Sequence, residues 1–227
     1  MRRLTPHLVI LTGLLGLAST MGCSETTANV QSNDQTERIR GLNQLAREGT
    51  EEAEVLIEQA ASHEDPRTAI EAVKILGRSP QPRAREALLK VVAEEVRVPV
   101  RREAVVLLGQ LPKQAVRSED LEVLRRVVMR DPDPQVRSDA AAALGTVGGL
   151  ADVKLLVEVA TTATGDGELV LQCRAVRAVE DLLDMGFKYD PKAPLEQRQE
   201  ALARVREYAP AIAEKYMRYH PKGRAGP

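Results

Sequence analysis

Aromatic side chains are almost missing from this chain: there is no Trp, and the one Phe and four Tyr all lie in the last 41 residues. Whatever folds in the first 186 residues must pack with aliphatic side chains, without the stacking platforms that single-stranded nucleic acid needs. Charge of one sign is missing too. Lys and Arg number 32 against 33 Asp and Glu, so the chain has no bulk attraction for a phosphate backbone. Two cysteines cannot build a disulfide framework. His7, His63 and His220 lie far apart with no helical partner of metal-ligand type. No Ser–His–Asp set, Gly-rich phosphate loop or paired-acid motif stands out. The sequence therefore offers no catalytic residue, no cofactor and no metal site.

What the chain does contain is a ten-residue pattern that returns five times: Glu37–Ala46, Thr68–Gly77, Val100–Gly109, Val136–Gly145 and Leu171–Glu180. A small residue holds the fifth place and an aliphatic one the ninth. Successive copies start 31, 32, 36 and 35 residues apart, a period that marks a solenoid of helix pairs. Each copy predicts the first helix of a pair. Breaks rich in Gly and Pro follow, and then second amphipathic stretches at 53–61, 83–95, 119–130 and 151–161. Asp65-Pro66 and Asp131-Pro132-Asp133-Pro134 stand before first helices, where Asp caps free N–H groups and Pro suits the first turn.

These residues resemble the HEAT-repeat superfamily in its short bacterial form, D-x-x-V-R-x-x-A-A-x-A-L-G. Asp133, Val136, Arg137, Ala140, Ala141, Leu144 and Gly145 match that pattern, and Val100, Arg101, Ala104, Leu108 and Gly109 follow it in the preceding copy. Ala46 and Glu180 replace the closing Gly in the first and fifth copies. The resemblance implies an all-α, right-handed α-solenoid of about five helix pairs over residues 37–186, used as a surface for a protein or peptide partner. It also implies that the second helices line the concave side. Glu86, Lys90, Glu122, Arg125, Arg126 and Lys154 are the candidate groove residues. Their mixed signs argue against nucleic acid as the partner. Arg38, Arg101 and Arg137 share the second place of the pattern. There an Arg binds carbonyls or the Asp of a neighbouring loop; the other two copies have Ala69 and Gln172. The loop Thr161–Gly167 is enlarged and polar, a second candidate for recognition.

Residues 187–220 read as C-terminal capping helices over the open end of the stack, with 221–227 a disordered tail. Leu195, Leu202, Val205, Ala209, Ile212, Tyr216 and Tyr219 form one apolar stripe, and Pro210 is expected to kink or split the helix.

The N-terminus reads as an address. Arg2-Arg3 precedes an apolar run from Leu8 to Ala18, which is too short for a membrane span of ~20 residues. Small residues then lead to Gly22-Cys23, which resembles a bacterial lipoprotein signal, although Thr20 stands where that family prefers Leu. The resemblance implies cleavage after residue 22, lipid on Cys23 and a polar tether over 23–36. It places the domain in the cell envelope, periplasmic. The outer membrane is preferred, because Ser24 lacks the Asp that resembles an inner-membrane retention mark. A second reading is an accessory subunit related to the HEAT-like bilin lyases, which assists attachment of a chromophore or other group. The export signal opposes it, since those proteins act in the cytosol.

Overall fold

The computed structural model describes residues 27, 29–163 and 167–220. The signal segment, Cys23 and the tail 221–227 lie outside the described residues, as do 164–166 within the enlarged loop. Among the described residues there are ten α-helices and no strand. In chain order they are α1 (Gln35–Glu48), α2 (Glu51–Ala60), α3 (Pro66–Arg78), α4 (Pro82–Glu94), α5 (Val98–Gly109), α6 (Ser118–Arg130), α7 (Pro134–Val147), α8 (Val153–Thr162), α9 (Leu169–Leu183) and α10 (Leu195–Tyr219). This is the all-α solenoid of helix pairs read from the repeat. The chain divides into two compact units, residues 1–56 and 57–227, with the boundary inside α2.

In the first unit, Asp34 caps α1 by accepting from the backbone N–H groups of Thr36 (2.7 Å) and Glu37 (3.0 Å). Gly49 ends the helix in the left-handed region (φ 61°) and returns its N–H to Leu45. Thr27, Asn29 and Val30 are already helical, and Val30 is buried close to Gly41. This corrects the tether expected over 23–36: its described part includes a packed segment and the first turn of α1. Polar composition hid the single anchoring valine.

In the second unit, the first helices α3, α5, α7 and α9 stack side by side. Places one, five and nine of the pattern form their buried stripe: Val100, Ala104 and Leu108 are fully buried, as are Val136, Ala140 and Leu144. These places lie one helical turn apart on one face. Aspartates start the helices as their positions suggested. Asp65 accepts from the Arg67 N–H (3.2 Å), and Asp133 accepts from those of Gln135 (2.9 Å) and Val136 (3.0 Å). The closing Gly has a packing role, not a turn role. A Cβ on Gly109 would lie 2.9 Å from Ala143 Cα, and one on Gly145 would lie 2.9 Å from Ala178 Cα. Each Gly thus lets the next first helix approach to backbone distance. Among the described residues no first helix follows α9, and there Glu180 stands in the same place. Its Oε1 accepts from the Phe187 N–H (2.7 Å) and ties down the turn after α9.

The C-terminal segment is one continuous helix, α10, with Pro210 inside it, not a split pair. It packs against α8 and α9, where the second helix of the fifth pair belongs. The buried face also differs from the expected stripe. Ala201, Val205, Ala209 and Ala213 are buried at a spacing of four residues, whereas Leu195, Tyr216 and Tyr219 are exposed. Small side chains win this face because the helix lies close against its neighbours, and there is no room for Tyr.

Gly109→Ala and Gly145→Ala are expected to lower stability by about 1–3 kcal/mol through overpacking, despite the better helix propensity of Ala. Gly149→Ala, where a Cβ meets nothing within 4 Å, should stay within about 0.5 kcal/mol of wild type. Urea unfolding of the three variants checks the contrast.

Candidate interaction surface and its internal supports

Two sets of polar side chains join the helix pairs, and together they decide which charges remain for a partner. The first set occupies the second place of the pattern. Arg101, only 6% exposed, grips Asp131 with two parallel bonds (Nε 3.0 Å, Nη2 2.9 Å). Its Nη1 donates to the carbonyls of Glu95 (3.0 Å) and Val96 (2.9 Å), just beyond the end of α4. Gln172 repeats this in the fifth copy, with Nε2 donating to the carbonyls of Ala160 (3.2 Å) and Ala163 (2.9 Å) at the end of α8. Its Oε1 accepts from the Tyr189 hydroxyl (2.6 Å), whose pKa is pushed up by burial. Arg137 pairs with Glu168, while its buried Nε has no partner. In the first unit Arg38 donates to the Ser32 carbonyl (2.8 Å). At the second place Arg101 and Gln172 therefore clamp the free carbonyls of helix ends, and Arg137 is taken up by an acid, so these residues do not form a basic ladder.

The second set was not legible in the sequence reading. Asp120 and Asp152 are buried at the starts of α6 and α8, and each accepts from a backbone N–H three residues earlier: Arg117 (2.7 Å) and Gly149 (2.9 Å). An Arg from the preceding second helix reaches each carboxylate. Arg85 Nε lies 3.1 Å from Asp120, and Arg125 Nε lies 2.6 Å from Asp152. Burial pushes the Arg85 guanidinium down, and Asp120 opposes that. The available signal was an Asp at the third position of a helical start, α6 for Asp120 and the short 3-10 turn Leu150–Asp152 before α8 for Asp152, where a side chain caps its own start.

Arg125 differs from the other candidate groove residues in that the buried Asp152 holds its guanidinium, while its side chain remains 38% exposed. The other five keep their place on the surface. Leu88, Leu124 and Leu156 are buried counterparts in α4, α6 and α8. Two residues before them stand Glu86, Glu122 and Lys154, all exposed; two after stand Lys90, Arg126 and Glu158, also exposed. Among the described residues no ion pair joins Glu86 to Lys90 or Glu122 to Arg126, the helix pairs that their spacing allowed. Between the C-terminal ends of α4 and α6 lies an open groove of about 660 Å³. Val92, Val96, Val123 and Val127 give it apolar walls, and Arg126 and Arg130 stand at its side. Val96 is 84% exposed there. Glu95 at this edge is bound by Arg97 through Nε (2.8 Å) and Nη2 (2.6 Å), which holds its carboxyl below the usual range. Of the enlarged loop only the flanks are described. Among the described residues no group of three His, Cys, Asp or Glu could hold a metal ion.

A stack of helix pairs, clamped from within and with charged second-helix faces outside, defines a helical-repeat protein. The family model for HEAT repeats matches residues 26–109 and 94–172, and the chain belongs to that family. No curated protein matches the chain.

Because the Glu95 pKa is lowered in the folded state, its contribution is complete above the unfolded value near 4.5 and fades as pH falls through the lower folded value. Glu95→Gln should cost about 1 kcal/mol at neutral pH, with the deficit shrinking below pH 4.5. Thermal melts from about pH 3 to about pH 7, spanning the usual carboxylate range, check the sign.

Proposed function

We propose that this protein is a non-enzymatic, lipid-anchored protein of the bacterial cell envelope whose HEAT solenoid is a scaffold for a protein or peptide partner. HEAT repeats are generally protein-interaction scaffolds. One observation carries the reading for this chain. The charges between repeats are spent on helix ends and buried aspartates, while Glu86, Lys90, Glu122, Arg126 and Lys154 stand exposed and unpaired on successive second helices. Mixed signs on that face favour a partner matched by complementary pairs over one drawn by bulk charge. The N-terminal sequence supports the anchor, with Gly22-Cys23 after a short apolar run, and the outer membrane is preferred because Asp is absent at Ser24.

Intact mass of the exported protein should exceed that of residues 23–227 by a diacylglyceryl group plus any amine acylation. Cys23→Ser should move the protein to the soluble fraction, and an unmodified mature N-terminus at another residue would sink the anchor. For the surface, Lys90→Glu with Arg126→Glu should abolish capture of the partner from the protein's own membranes. Stability should change by no more than about 1 kcal/mol, since exposed charges contribute little to folding. Capture that survives this reversal would move the site to the Thr161–Gly167 loop.

A further inference from the structure

The last three turns of α10 carry side chains that the fold does not use. Tyr208, Ile212, Lys215 and Tyr219 recur at intervals of four, three and four residues and form one line along the helix. Tyr208 is 50% exposed and Tyr219 68%, the two most exposed aromatic rings among the described residues. Tyr216 lies beside this line and stacks on His220, with ring centroids 6.4 Å apart. The line borders the buried face of Ala201, Val205, Ala209 and Ala213 on one side. On its other side, next to Lys215 of the line itself, come the cations Arg204 and Arg218, with Glu207 and Glu214 just beyond them. At its foot, a cavity of about 520 Å³ opens between α10 and the turn Met185–Lys188, lined by Arg204, Tyr208 and Ile212.

Beyond Glu214 the charge has one sign, unlike that of the whole chain. From Lys215 to the last residue the sequence has Lys215, Arg218, Lys222 and Arg224 and no acid. A water-facing helix end has no need of three tyrosines in a chain that has only five aromatic residues. Tyr is suited to a boundary where one end of the ring is dry and the hydroxyl is wet, and Lys and Arg extend their heads toward anionic groups from that position. We propose that the Tyr208–Tyr219 line of α10, with Lys215 and Arg218, docks on an anionic lipid surface. This contact is separate from the lipid on Cys23, and a second attachment would hold one end of the solenoid against the bilayer.

The test leaves the anchor out. The chain from Ser24 retains every described element, and it is sedimented with phosphatidylcholine vesicles with and without phosphatidylglycerol. Binding is expected only where phosphatidylglycerol is present, and it should weaken as salt screens the surface. Lys215→Glu with Arg218→Glu should weaken it by roughly 25-fold, about fivefold for each basic residue removed. Tyr208→Ser with Tyr219→Ser should weaken it at an unchanged melting temperature, because both rings are exposed. Lys90→Glu with Arg126→Glu, the same charge change on another face, should leave it intact. Failure to bind, equal binding to neutral vesicles, or equal loss in that control would overturn the proposal. So would a tyrosine variant that only changes the oligomeric state, since the line would then be a contact between copies. None of these outcomes touches the lipidation of Cys23, which intact mass decides.

Discussion

Everything in the second unit depends on how near one first helix can come to the next. At Gly109 and Gly145 the neighbour's Cα lies 2.9 Å from where a Cβ would be, so the backbones approach too closely for any side chain. Such proximity leaves room for little beyond Ala, Val and Leu in the stripe, and the repeats up to residue 186 pack without a single aromatic ring. It also explains the narrow composition of the pattern: Ala at the fifth place is fully buried in every copy of this unit. A larger core residue would push the helices apart and forfeit many small dispersion contacts.

Close packing of helices leaves their ends to be satisfied in tight quarters. The structure answers with polar and charged groups that work locally. Arg101 holds two carbonyls and an aspartate, Gln172 holds two carbonyls, and Asp120 and Asp152 hold N–H groups while each receives an Arg from the helix before. A buried ion pair is a poor source of net stability, because desolvation offsets its attraction. What these groups supply is register. A helix pair rotated or slid by one residue would leave a buried charge alone, which is far more costly than a lost surface contact.

The fold was legible because its signal repeats: five copies of one pattern average out the noise of any single residue. The second-helix columns were legible for the same reason, since Leu88, Leu124 and Leu156 set a common register. What failed to show did so for physical reasons. Arg125 looks like its neighbour Arg126 in sequence, and only the position of buried Asp152 separates their roles. The face of α10 was misjudged because hydrophobicity ranks Tyr above Ala as a core residue, whereas a close helix contact selects for small size. Val30 was overlooked because one apolar residue among polar neighbours carries no period.

Glu180 has a consequence for how such a chain can grow. The three preceding copies in this unit end in a residue without a side chain, and each is a seat for the next helix. The fifth ends in a carboxylate already engaged with the Phe187 backbone, so the seat is taken. A further first helix laid beside α9 would therefore meet a charged side chain where the earlier copies of this unit offer open backbone, so the last repeat differs from its parents at the very place where the stack would continue.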